Sequence, residues 1–262
     1  MFRGTLIRSG NNAKTVKGDK LGGYETAIMY LAPFNLAGSN VCPMAEQAGC
    51  VAGCLNTAGR GRMSNVQLAR VKKTKRYLAD RVEFMQQLAI DLEAFERYCA
   101  RKGVKPAVRL NGTSDIQWEV AHPVHRHMPQ GLWRFKNVFE AFPEIQFYDY
   151  TKVYKRVYRD LPANYRLVLS YSAAHSAYSD AVVEAAAKTG ANIAVVYRDK
   201  AIRDNMMPSG DALGYDDGFK RIYRQVIDGD SDDMRFLDPT GVIVGLYAKG
   251  AARHDRSGFV VG

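Results

Sequence analysis

The sequence predicts an α/β protein built on a partial parallel (βα)6 barrel. Three observations carry the expectation. Short β-rich apolar runs recur at residues 24–33, 106–110, 144–150, 165–172, 192–197 and 241–247, each about the length of a strand. Segments of helical character separate several of them, the pattern of a parallel sheet with crossover helices. Right-handed crossovers roll such units into a full or partial barrel. The alternative is a doubly wound open sheet, but no G-x-G-x-x-G fingerprint follows the first strand.

Taken in order, residues 1–23 are polar and rich in glycine and basic residues, and read as an irregular arm or a short hairpin. Residues 24–262 read as a single barrel-like domain. The first strand, 24–33, is stopped by Pro33 and leads directly into a cysteine-bearing loop. From 64 to 101 there is neither Pro nor Gly, and Leu78, Val82, Met85, Leu88, Leu92 and Phe95 step by three and four. Ser64 and Gly103 supply the start and stop signals, and the length predicts a break near 75–80. Cys99 reads as a core thiol of this helix. The strand 106–110 ends in Asn111-Gly-Thr-Ser-Asp115. Residues 116–130 form a surface loop carrying Trp118, Glu119, His122, His125 and His127, and 131–142 form a second helix closed by Pro143. The strand 144–150 runs into Thr151-Lys152. After the strand 165–172 comes an Ala-rich helix, 178–188, then the strand 192–197. Residues 199–218 read as loop, including Tyr215-Asp-Asp-Gly. Asp228-Gly-Asp-Ser-Asp-Asp233 has a calcium-loop flavour but departs from the D-x-[DN]-x-[DN]-G-x5-E pattern, so it reads as an acidic turn before the last strand.

A formal net charge of +10 points to a polyanionic partner, a nucleic acid or a nucleotide. The charge concentrates at Arg60, Arg62, Arg70, Lys72, Lys73, Lys75, Arg76 and Arg81, opposed locally by Asp80 alone. No apolar run approaches the roughly 20 residues of a membrane helix. The first residues lack a signal-peptide core and cleavage site, which predicts a cytoplasmic protein with reduced thiols.

Cys42, Cys50 and Cys54 fall in a C-x7-C-x3-C pattern rich in Gly and Ala. Three thiolates on one loop suit a soft centre, an iron–sulfur cluster or zinc, with one position left for a substrate, a cofactor or a distant residue. In parallel α/β folds, chemistry gathers beyond the carboxyl ends of strands. Those positions hold the cysteine loop, Asn111, Thr113, Ser114, Asp115, Asp149, Thr151, Lys152, Ser170, Ser172, His175, Arg198, Asp199 and Lys249.

Leu31-Ala-Pro, Cys42-Pro-x-Ala, Cys50-x3-Cys54, Val108-Arg-Leu, Ser114-Asp115, Phe147-Tyr-Asp-Tyr-Thr-Lys152 and Leu161-Pro-x-Asn164 resemble a family of phage proteins called gene product eighty-eight, over about residues 24–175. More distantly, the chain resembles the radical S-adenosylmethionine enzymes. There a three-cysteine loop after the first strand holds a [4Fe–4S] cluster whose open iron binds the cofactor's methionine part. A Gly-Gly-Glu-like turn after the second strand contacts its amino group. Here Cys42, Cys50 and Cys54 occupy the first loop at a wider spacing, and Gly112-Thr-Ser-Asp115 occupies the second turn with Asp in place of Glu. The resemblance implies a phage-type enzyme that modifies a nucleotide or nucleic acid. Gly112, Ser114, Asp115 and Ser170 would hold the cofactor, and Asp115 and Lys152 would be catalytic. Lys152 and the basic segment 60–81 would meet phosphates. Two other readings stand beside it. One is a barrel DNA base transglycosylase with structural zinc and Asp115 or Asp149 as nucleophile. The other is a non-enzymatic, basic nucleic-acid-binding protein with a structural metal loop.

Overall fold

The computed structural model describes residues 1–214 and 221–262; of the predicted loop 199–218, residues 215–218 lie outside them. Chain order is β1 (Ile7–Ser9), α1 (Ala13–Gly22), β2 (Tyr24–Met29), α2 (Ser64–Ala79), α3 (Arg81–Lys102), β3 (Lys105–Arg109), β4 (Val124–Met128), β5 (Gly131–Phe135), α4 (Val138–Ala141), β6 (Gln146–Thr151), β7 (Tyr165–Ser170), α5 (Ser176–Thr189), β8 (Ile193–Tyr197), α6 (Lys200–Ser209), β9 (Asp211–Gly214), β10 (Arg221–Arg224), β11 (Val226–Asp228) and β12 (Ile243–Tyr247).

Eight strands form one sheet in the order β1-β2-β3-β6-β7-β8-β12-β11. All neighbours run parallel except β1, which pairs antiparallel with β2. From β2 to β12 the order follows the chain without reversing, unlike a doubly wound sheet, whose order switches direction. Among the described residues no pairing joins β1 to β11, so the sheet is an open one. No helix there is long and apolar enough to cross a membrane.

The side-chain alternation of each strand sorts two layers. One face meets the helices. Ala27, Met29, Val108, Leu110, Phe147 and Leu167 pack against Phe84, Leu88, Leu92 and Phe95 of α3. Leu169, Ile193, Val195 and Ile243 pack with Tyr178, Val182 and Ala186 of α5. Asp80 makes the predicted break between α2 and α3, its carboxylate accepting from the Glu83 amide at 2.9 Å as the cap of α3. Cys99 is wholly buried in this layer.

The opposite face is covered by α1 and the acidic turn. Asn12 caps α1, and Asp19 accepts from the Thr26 hydroxyl at 2.6 Å. The acidic turn is neutralised by protein cations. Asp233 accepts from Arg109 at 3.2 Å and from the Tyr148 hydroxyl at 3.1 Å, and Asp230 accepts from Lys249 at 2.5 Å. Residues 1–23 are therefore tied into the sheet: Leu6 and Ile7 are core residues, and Asp91 of α3 accepts from the Leu6 amide at 2.6 Å.

Several elements differ from the sequence expectation. The arm 1–23 contains the ten-residue helix α1, and the segment 116–130 is not a surface loop, since it buries Trp118, Glu119 and His122 and forms β4. Residues 131–142 are not one helix: 131–135 pair with 124–128 as a two-stranded ribbon, and only Val138–Ala141 is helical. Gly-Leu-Trp-Arg-Phe is short enough to satisfy either period, and its aromatic content with a facing partner strand decides for β. Residues 200–209 form a helix rather than loop, because the Asp199 carboxylate caps it by accepting from the Ile202 amide at 2.9 Å.

Candidate functional site

The loop between β2 and α2 lies over the carboxyl ends of the central strands. Its path is fixed by backbone bonds: the Asp115 amide donates to Val41 at 2.9 Å, and the Gly112 amide donates to Met29 at 3.0 Å. Gly112 is required there for space, since a Cβ would lie 2.6 Å from the Tyr30 ring and 2.7 Å from the Met29 carbonyl oxygen. Gly49 turns the loop with φ +60°, and a Cβ would lie 2.7 Å from both Ala174 and Ser257. The Ser257 hydroxyl donates to the Gly49 carbonyl at 3.0 Å. The loop is thus clamped between the ends of β3 and β7 and the C-terminal segment.

Cys42, Cys50 and Cys54 are reduced and partly buried. The Cys42 sulfur accepts from the Phe34 amide at 3.3 Å, and the Cys54 sulfur from the Asn56 amide at 3.5 Å. Burial pushes the Cys42 thiol up to about 12, and Asp115 and the other two cysteines push in the same direction. Burial also raises Cys50 and Cys54, while the Lys152 ammonium pulls both back. The three sulfurs, Asp115 and Lys152 therefore share one electrostatic neighbourhood. Among the described residues, no group of three or more His, Cys, Asp or Glu side chains stands at metal-binding geometry.

Lys152 follows β6 directly. Its ammonium donates to the Ser170 hydroxyl at 2.9 Å and lies 4.6 Å from the Phe259 ring centroid. Burial lowers its pKa, opposed by Cys50, Asp115 and Cys54. Ser170 is held in turn by its carbonyl, which accepts from the Tyr178 hydroxyl at 2.9 Å.

Beneath this surface runs a polar network. The Asp115 carboxylate accepts from the Thr151 hydroxyl at 2.8 Å, the Lys152 amide at 2.7 Å and Arg156 at 2.9 Å. Arg156 is fully buried and also forks onto Glu119, at 2.9 and 2.7 Å. Asn111 accepts from Ser114 at 2.9 Å and from the Trp118 indole at 3.0 Å, and donates through its backbone amide to Asp149 at 2.7 Å. Burial pushes Asp149 up to about 7, against the hydrogen bonds from Asn111 and Tyr165.

The predicted site residues thus divide. Cys42, Cys50, Cys54, Asp115, Lys152 and Ser170 meet in one region, whereas Gly112 and Ser114 form its packed floor. The basic segment divides as well. Arg60, Arg62, Lys72 and Lys75 are exposed. Arg70 is buried, bonded to the Asn56 side chain and stacked 4.8 Å over Tyr30. Lys73 donates to the Leu6 carbonyl at 3.1 Å, with its pKa lowered by burial to about 8, and Arg76 pairs with Glu83 at 2.8 Å. Of the histidines, His122 is buried against Tyr77, with 2.9 Å between its Nε2 and the Tyr77 hydroxyl, while His125 and His127 lie on β4. Arg156 stands in the sequence among Lys152, Lys155 and Arg159, and nothing in that neighbourhood marks it as the buried partner of Asp115 and Glu119.

No curated protein and no solved structure matches this chain. The family described as Gene product 88 matches over residues 5–262, so the likeness extends well beyond the motifs at 24–175 to both ends of the sheet. The chain is a member of the Gene product 88 family.

Proposed function

We propose that the protein is an iron–sulfur enzyme whose cluster is held by Cys42, Cys50 and Cys54, on a sheet that acts as a partial (βα)6 barrel. S-adenosylmethionine would complete the cluster and a nucleotide or nucleic acid would be modified. The observation that carries this is that one loop bears three reduced thiols, two of them within the electrostatic reach of the Lys152 ammonium. By residue type, three sulfur ligands and one position left over are a cluster's requirement more than a hard cation's. Among the described residues the three side chains do not stand at metal-binding geometry, so loading would have to draw the sulfurs of the loop together. When bound, such a cluster supplies an open iron for the cofactor's methionine part and an electron for radical chemistry.

The chain's own residues do the rest. Three thiols raised by burial must lose protons to become ligands, so loading releases protons and strengthens with pH. Lys152 stabilises thiolate at Cys50 and Cys54 and leaves its remaining hydrogen-bonding capacity for an anionic group of the bound partner. Asp115 acts by positioning: its bonds to Thr151, Lys152 and Arg156 hold the end of β6 beneath the loop. Exposed Arg60, Arg62, Lys72 and Lys75 supply the phosphate-facing cations. The base-exchange reading has poorer geometry, because Asp149 has no exposed surface and Asp115 already accepts three hydrogen bonds.

Anaerobic purification with an absorption spectrum and metal analysis tests the proposal. About four irons per chain and broad absorption near ~400 nm, both lost in Cys50→Ala, are expected. A colourless protein with one zinc would replace the cluster with a structural metal, and a metal-free protein would leave the cysteine loop without a centre.

A further inference from the structure

On the face of the sheet opposite the helix layer, Val168, Ala194 and Val244 form a small apolar floor. Tyr150, Ile227 and Leu246 pack around it and stay partly exposed. Arg109, at the carboxyl end of β3, lies with its guanidinium 4.7 Å from the centroid of the Tyr150 ring. Arg235, just after the acidic turn, is the charge that acts most strongly on the Tyr150 hydroxyl. Both guanidiniums are buried and each already has its carboxylate. Arg109 donates to Asp233 at 3.2 Å; Arg235 donates to Asp232 at 2.7 Å and stands 3.2 Å from Asp238. Beyond these pairs, the Nε of Arg109, the Nε of Arg235 and the Tyr150 hydroxyl are buried with no hydrogen-bond partner among the described residues. Burial raises the hydroxyl's pKa, so it keeps its proton and is a third donor. Buried donors left unmatched by the fold call for a partner from outside it.

An apolar surface with a few polar groups at its edge is the make-up of a small-ligand site. Both guanidiniums are already neutralised, so the cluster suits an uncharged group rich in acceptors rather than a second anion. A flat ring matches the floor. Guanine sets two acceptors side by side, O6 and N7, and the carbonyl oxygen accepts twice; adenine puts a donor, its N6 amino group, in the place of O6. Tyr150 pairs with Val168, and two residues further along these strands, roughly 7 Å away, Lys152 donates to Ser170 at 2.9 Å. We propose that this face holds a guanine pocket. The base lies on Val168, Ala194 and Val244 with its O6 and N7 edge accepting from Tyr150, Arg109 and Arg235, and the sugar and phosphate lead out to Lys152. The inference rests on the nucleotide part of the proposed function and does not need the cluster.

Isothermal titration calorimetry of the full chain with guanosine and adenosine monophosphate tests it. Wild type is expected to bind the guanine nucleotide at least ~10-fold more tightly, because the adenine amino group would leave buried donors unpaired. Tyr150→Phe should weaken the guanine nucleotide by ~2- to 10-fold. The same variant should melt at the wild-type temperature or above it, since the lost hydroxyl has no partner within the fold; a merely structural hydroxyl would lower it. Lys152→Met should weaken the monophosphate and leave guanosine itself unchanged. Cys50→Ala should bind both nucleotides as wild type does, which separates the pocket from the cluster. Equal affinity for the two nucleotides, or a Tyr150→Phe variant that binds as wild type does, would overturn the pocket and keep the nucleotide reading. Binding of neither nucleotide would overturn both, leaving internal water as the partner of the three donors.

Discussion

Arg156→Met removes the cation at the centre of the network beneath the cysteine loop. The guanidinium is 0% exposed and makes ion-paired contacts at 2.9 Å to Asp115 and 2.7 Å to Glu119. It also donates to the Tyr165 hydroxyl at 2.8 Å. Removing one partner of a buried pair leaves the other as an uncompensated charge, at a cost of ~3–5 kcal/mol. Three remaining contacts moderate this: Glu119 keeps Arg159 at 2.8 Å, and Asp115 keeps the Thr151 hydroxyl and Lys152 amide. For a chain of this size each kcal/mol shifts the melting temperature by about 2–4 °C, so a fall of ~6–20 °C is expected by calorimetry. The same substitution made together with Asp115→Asn and Glu119→Gln should recover part of the loss, because the stranded charges are gone. A loss under about 1 kcal/mol in urea unfolding would refute the reasoning. So would a full loss that the two neutralising substitutions do not reduce, since the damage would then be a packing defect.

Asp149 predicts a pH signature. Its folded-state pKa near 7 lies above the ordinary value of about 3.9, so between these the native chain holds a proton that the unfolded chain has lost. Its contribution to stability therefore falls as pH rises from about 4 to 7 and is flat above. Asp149→Asn has no such proton, so its stability relative to wild type should improve by ~4 kcal/mol across that window in urea titrations at each pH; an unchanged difference would contradict the assignment. Lys152→Met removes the cation that favours thiolate at Cys50, so alkylation of Cys50 at pH 8, followed by peptide mass spectrometry, should slow by roughly threefold or more. Gly49→Ala forces a side chain into a left-handed turn against Ala174 and Ser257, and should lower stability by ~1–3 kcal/mol while raising thiol accessibility to a bulky disulfide reagent.

The parallel sheet was readable because its strands are buried on both faces and so stand out as apolar runs between breakers. The α2–α3 break was readable for a local reason too, as Asp80 is a cap within its own few residues. Two errors came where local signals were equivocal. Residues 131–135 are too short to show a period, and their strand character is settled by β4, which lies across a tight turn. The helix at 200–209 depends on one capping carboxylate, set in a stretch whose Met-Met-Pro-Ser-Gly composition reads as loop. The arm at 1–23 looked detached because its attachment is made by Asp91, more than eighty residues away.

The site divides in the same way. Cysteine spacing is a local signal, and it located the loop. What holds the loop is not local: Arg156 reaches Asp115 and Glu119 across about forty residues, and Gly49 meets Ser257 across 208. Such partners are joined by strand order, since β3, β6 and β7 are neighbours in the sheet and their carboxyl ends must therefore be neighbours too. Asp115 shows the consequence. Its position after a strand marks it as polar and near the chemistry, which holds for a cofactor ligand and for a supporting residue alike. Three accepted hydrogen bonds favour the supporting role, and on the proposed function the chemistry would then rest with the thiols and Lys152, the groups at this surface whose charge a bound partner could still change.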